Sequence, residues 1–194
     1  METAPFSPAS SGALRDLLRD ASLIQASQYF DGNAVTLGEP QDLRLGQVLK
    51  RYMAMVILNG VDLRIVIKVH FDLEPIRTYR QSRLAPESDL ADKKIIDFMK
   101  ELSNQIGGRV CRAFDTHGTP AGMSVPLCTR GIYEIYADYT PRSGALEKFG
   151  DFWRLDSAFG SIYCSSYVEL LAKRDYSGVT CSCDDAQEGE LDFL

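Results

Sequence analysis

Apolar positions along this 194-residue chain change their period several times, and each change marks an element. Leu14, Leu17, Leu18, Leu23 and Ile24 recur at roughly helical spacing. They predict a helix over 13–30, closing before Asp31-Gly32-Asn33. Leu37-Gly-Glu-Pro40 reads as a turn. Two β-rich runs follow, Arg51–Leu58 and Leu63–Phe71. In the second, Leu63, Ile65, Ile67, Val69 and Phe71 alternate with Arg64, Lys68 and His70, which predicts a half-buried strand with His70 on its exposed face. Val66 is the one break on that outer side. Asn59-Gly60 lies between the runs and suits the left-handed backbone of a hairpin turn. Pro75 to Leu84 reads as a short helix opening at the proline, with Arg77, Arg80 and Arg83 on one solvated face.

The clearest periodicity comes next. Ile95, Met99, Leu102 and Ile106 follow a 4, 3, 4 spacing and predict an amphipathic helix from about 90 to 106. Asp89 or a neighbour would cap it, and Gly107-Gly108 would end it. Glu101 and Asn104 are three apart, so they stand side by side on its wet face. Val110–Phe114 then reads as a strand, Gly118–Gly122 as a tight connection, and Met123–Leu127 and Gly131–Ala137 as extended segments. Asp138–Phe149 is a long loop. Phe152–Ala158 and Ser161–Ala172 are the last strands. Consecutive β-rich segments with short turns favour antiparallel pairing, and helices grouped against one sheet give an α+β fold. Each half runs helix then strands, which hints at an internal repeat.

Composition narrows the class. Hydrophobic residues make up 45% of the chain, ample for one packed domain. The net charge of −6 argues against nucleic acid or an anionic membrane as partner, because both call for a basic face. No apolar run approaches the ~20 residues of a membrane span. Met1-Glu-Thr-Ala-Pro-Phe-Ser-Pro lacks the basic and apolar regions of a signal peptide. Five irregularly spaced cysteines suggest reduced thiols and a cytoplasmic setting. The Pro, Ser and Ala-rich segment 1–12 is expected to be disordered and the acidic stretch 175–194 to be a flexible tail, leaving 13–174 as a single domain.

Familiar catalytic devices are missing. Cys181-Ser-Cys183 has no second paired motif to complete a zinc site, and His70 and His117 are isolated. No G-x-S-x-G nucleophile elbow occurs, and no glycine-rich phosphate loop. Glu101 and Asn104 remain, an outward carboxylate and amide with no nucleophile, metal set or phosphate cradle near them in sequence. Such a pair suits chemistry on something that a partner brings.

Glu101-Leu-Ser-Asn104-Gln-Ile106-Gly-Gly108 resembles the E-x-x-N-x-I-x-G signature of the CheC/CheX family of chemotaxis phosphatases. Val56–Gly60 with the strand to Phe71, and Ser124-Val-Pro-Leu127, also look like parts of that family, and the resemblance spans roughly residues 45–171. A single copy of the signature makes this chain CheX-like. The resemblance implies an antiparallel sheet against long helices with a pseudo-repeated half, and a homodimer joined through sheet edges. It further implies hydrolysis of the aspartyl phosphate on a response-regulator receiver domain in bacterial chemotaxis or two-component signalling. The catalytic residues would be Glu101, pairing with the receiver's lysine, and Asn104, aligning the attacking water. No cofactor of its own is implied; Mg²⁺ is expected on the receiver. Asp97 shares the Glu101/Asn104 face, with Lys93, Lys94 and Lys100 near it in sequence. The segment 138–149 and the acidic tail look like additions to the family core, so the alternative is a non-catalytic CheX-like adaptor that binds a signalling protein.

Overall fold

Two β-hairpins supply the middle of the sheet. In the computed structural model, which describes residues 8–30, 34–38, 47–83, 91–134 and 144–181, β2 (Tyr52–Gly60) pairs with β3 (Leu63–Phe71). β6 (Glu147–Ser157) pairs with β7 (Gly160–Leu170), and β3 lies against β7. Short strands close the edges: β1 (Thr36–Leu37) on β6, and β4 (Ala121–Met123) with β5 (Leu127–Arg130) on β2. The order is β1-β6-β7-β3-β2-β4, with β5 also on β2, and every pair is antiparallel. Among the described residues, three α-helices join it: α1 (Pro8–Tyr29), α2 (Leu73–Arg83) and α3 (Asp92–Thr116).

The halves are related by an exchange. The short strand after α1 joins the second hairpin, and the short strands after α3 join the first. This is the α+β, pseudo-repeated architecture that the sequence implies. Leu14, Leu18 and Ala21 of α1 and Met99, Leu102 and Ile106 of α3 are fully buried in the same core as Val56, Leu58, Ile65 and Ile67 of the sheet. Each large apolar side chain contributes about 1.5–3 kcal/mol on burial, which holds α3 rigidly with its other face outward.

Several expectations are corrected. Asn59-Gly60 is not the turn: both belong to β2, Asn59 opposite Arg64 and Gly60 opposite Ala121, and Val61-Asp62 makes the connection. Gly107-Gly108 does not end α3, which continues through the predicted strand 110–114 to Thr116. A Cβ at Gly107 would stand 2.5 Å from Met123 Sδ and 2.9 Å from Val56 Cγ2, so this glycine serves close packing of helix on sheet. Ala91 precedes α3 without a side-chain cap bond, and Asp89 lies outside the described residues. α2 starts at Leu73, two residues before Pro75, and its arginines are engaged: Arg77 pairs with Glu74 and Asp92, and Arg80 stacks on Phe98.

Other boundaries move as well. Gly131–Tyr133 forms a 3-10 turn rather than a strand, and β6 already begins at Glu147, inside the predicted loop. Residues 8–12 are helical, and Tyr176 and Val179 are buried, so neither the disordered head nor the flexible tail extends as far as composition suggests. Residues 1–7, 31–33, 39–46, 84–90, 135–143 and 182–194 lie outside the described residues, and with them most of both termini and half of the segment 138–149. His70 is fully buried, as is Lys68, although the alternation places them on an exposed face.

Candidate functional site

The buried stripe of α3 fixes what faces out. Ile95, Met99, Leu102, Ile106 and Val110 point to the core, so Asp97, Glu101, Asn104 and Gly108 form a line on the opposite side. Glu101 is exposed and Asn104 half-buried at the surface. The two touch: Asn104 Nδ2 donates to Glu101 Oε2 at 3.4 Å. From one position further along, Gln105 Nε2 donates to Glu101 Oε1 at 3.3 Å. One carboxylate thus receives an amide on each oxygen. Gly108 continues the line without a side chain, and the space above it is open apart from Arg112 Nη1, 3.7 Å from where a Cβ would stand.

The flanks set the electrostatics. Asp97 pairs with Lys100 at 3.6 Å, so the extra negative charge on this face is largely offset. On the α1 side, Tyr29 packs its ring on Phe98 (centroids 4.4 Å apart) and donates its hydroxyl to the Phe98 carbonyl at 2.7 Å. Burial, then the Glu101 charge, push the Tyr29 phenol well above its ordinary range, with Arg80 opposing. It therefore stays a neutral donor. On the β5 side, burial raises the Cys128 thiol while Lys100 opposes, which keeps it protonated at neutral pH. Beside the Asp97–Lys100 pair, the site holds the Glu101 carboxylate and two amides on a rigid helix, able to bind a cation and orient a water.

The remaining candidates are scattered. His117 stacks near Tyr176 at the C-terminal end of α3, and Cys181 Sγ meets the Leu17 carbonyl at 3.8 Å. Cys183 lies outside the described residues. Among the described residues, no three His, Cys, Asp or Glu side chains converge as metal ligands would. No helix among them is long and apolar enough to cross a membrane.

Two buried polar groupings escaped the sequence. On the second sheet face, Lys68 Nζ lies 3.1 Å from Glu134 Oε2, and Ser165 bridges Glu134 and His70 at 3.2 and 2.9 Å. In the core, Arg109 reaches the Gln25 amide oxygen at 2.9 Å once that amide is turned to accept. The alternation of Lys68 and His70 with apolar residues was the available signal for the first, but Glu134 comes from a distant turn.

No protein-family model matches the chain, and no curated protein matches it by sequence. Solved structures do. The chemotaxis protein CheX from Vibrio vulnificus is 18% identical over 84% of this chain and 100% of that one, with a TM-score of 0.58. A CheC-like superfamily protein from Shewanella sp. PV-4 is 15% identical over 81% and 97%, with a TM-score of 0.60.

This is the CheX and CheC-like fold.

A third structure with that fold, the CheX–CheY–BeF₃–Mg²⁺ complex from Borrelia burgdorferi, is 14% identical over 80% and 97%, with a TM-score of 0.59. The shared CheX-like fold thus takes in almost the full length of each neighbour. The line Asp97–Glu101–Asn104–Gly108 lies on α3, the longest helix among the described residues.

Proposed function

We propose that this protein accelerates hydrolysis of the aspartyl phosphate on a response-regulator receiver domain. The observation that carries the reading is the outward, hydrogen-bonded Glu101/Asn104 pair on a rigid helix of a CheX-like fold. The receiver would bring the phosphoryl group and Mg²⁺, so this chain needs only to position groups around them. Asn104 is suited to align the water, because an amide both donates and accepts. The water oxygen bonds to phosphorus as the bond to the aspartyl oxygen breaks. The aspartate leaves as a carboxylate, and inorganic phosphate keeps the protons of the water. Glu101 would take the receiver's lysine and set the docking register. The CheX of Borrelia burgdorferi, solved with CheY, BeF₃ and Mg²⁺, supports a receiver as the partner class.

The test is loss of phosphate from a phosphorylated CheY-type receiver. Asn104→Ala should slow it about a hundredfold, the usual consequence of misplacing one reacting group. A rate equal to wild type would end the catalytic reading, and retained binding would then point to the adaptor role. The proposal includes a homodimer joined at sheet edges, where β1 and β4 are the outer strands. A sedimentation mass near twice 21.6 kDa is the result that part requires.

A further inference from the structure

We infer that Gln105 is a positioning residue that pins the Glu101 carboxylate so that Asn104 can leave it on docking. The inference rests on the proposed function of this pair. Its starting point is the division of one carboxylate between two amides: Oε1 accepts from Gln105 and Oε2 from Asn104, at 3.3 and 3.4 Å. The two donors reach back to Glu101 from positions four and three residues ahead, so they approach it from opposite sides of the helix surface. Gln105 lies about two helical turns beyond Phe98, on the same side of α3 as the Phe98 contact with Tyr29 of α1. Asn104 lies on the other side of the line.

This arrangement occupies Asn104 in the unbound protein. One of its two N–H groups is spent on Glu101, and that bond holds the amide back against the helix surface rather than extended toward a partner. An incoming ammonium that binds Oε2 takes the place of the Asn104 donor and releases that amide toward the reacting centre. Without a second donor, the departure of Asn104 would leave an exposed glutamate free to rotate, and ordering it again would weaken docking. Gln105 keeps its bond to Oε1 throughout, so Oε2 stays aimed at the partner. Cation capture and amide release become two sides of one exchange.

Gln105 touches no reacting atom in this scheme, so its loss belongs in binding. The closing experiment titrates the protein with a CheY-type receiver domain loaded with BeF₃ and Mg²⁺, and in parallel follows phosphate loss from the phosphorylated receiver. Gln105→Met keeps length and removes the donor; it should weaken binding between about twofold and tenfold, the range one hydrogen bond supplies, and raise KM alike with kcat within twofold. Unchanged binding in Gln105→Met overturns the inference, as does a fall in kcat without a change in binding. The proposed function is tested separately by Asn104→Ala: a wild-type hydrolysis rate there defeats the catalytic reading whatever Gln105 does. Absence of receiver binding by the wild-type protein defeats both.

Discussion

An imidazole held between an ammonium and a carboxylate, away from water, has to settle on one charge state. His70 is fully buried, with its Nε2 2.9 Å from Ser165 Oγ and 3.7 Å from Glu134 Oε2. Because Ser165 donates to Glu134, the His70 Nε2–H donates to Ser165, and Nδ1 is left without a hydrogen-bond partner among the described residues. Burial dominates, with the Lys68 charge beside it, and together they lower the His70 pKa to about 3 from an ordinary 6.5. Glu134 would favour the cation, but it is already engaged by Lys68 at 3.1 Å. Tyr163 faces His70 across the β3–β7 ladder. The consequence is acid sensitivity. Between pH 6.5 and 3 the unfolded chain binds one proton that the folded chain refuses, so the folding equilibrium should fall about tenfold per pH unit on acidification. The His70 contribution to stability is complete above pH 6.5 and is lost downward from there. Denaturant titrations across this window should show that slope in wild type and a shallower one in His70→Gln; equal slopes would contradict it.

At the scale of elements, α3 shows how one glycine packs and the next leaves room. Gly107 faces β2 and β4, where a methyl would collide with Met123 and Val56; Gly108 faces solvent. Gly107→Ala should therefore cost about 1–3 kcal/mol through overpacking. Gly108→Ala should cost nothing and can gain up to about 1 kcal/mol of helix propensity. Thermal unfolding reads the contrast, at about 2–4 °C per kcal/mol for a chain of this size; equal shifts would show that Gly107 is not a close-approach position. The same helix shows what the chain reveals on its own. The 4, 3, 4 stripe and the outward Glu101/Asn104 pair were legible because both depend only on helical spacing. The length of α3 was not, because a glycine pair that usually marks a helix end is held here by contacts from β4 and β2, elements remote in sequence. The same holds for the hairpin. Asn59-Gly60 has turn chemistry, yet pairing with Arg64 and with β4 draws it into the ladder. Tertiary partners overrode local preference in both places.

At the scale of the whole molecule, the exchanged edge strands make α1 the counterpart of α3. The correspondence extends to individual positions. Leu14, Leu18, Ala21, Ser22, Gln25 and Ala26 are buried on α1 with the spacing of Ile95, Met99, Leu102, Ser103, Ile106 and Gly107 on α3. The outward line on α1 is then Asp16, Asp20, Leu23 and Ser27, in the places of Asp97, Glu101, Asn104 and Gly108. Their exposure agrees position by position: the first two of each line are exposed and the last two half-buried. Asp20 keeps a carboxylate where α3 has Glu101, although partial burial and Asp16 raise its pKa. Leu23 stands where α3 has the Asn104 amide, so under the proposed function this half lacks the group that would orient water. If the line on α3 is sufficient for activity, supplying its chemistry on α1 should create function there. Asp20→Glu with Leu23→Asn, placed in an Asn104→Ala background, should raise receiver dephosphorylation at least tenfold above the Asn104→Ala parent. A folded triple variant with no gain would mean that the halves share their packing while docking depends on something only α3 presents. Gly108, open where Ser27 carries a hydroxymethyl group, would be the first difference to remove.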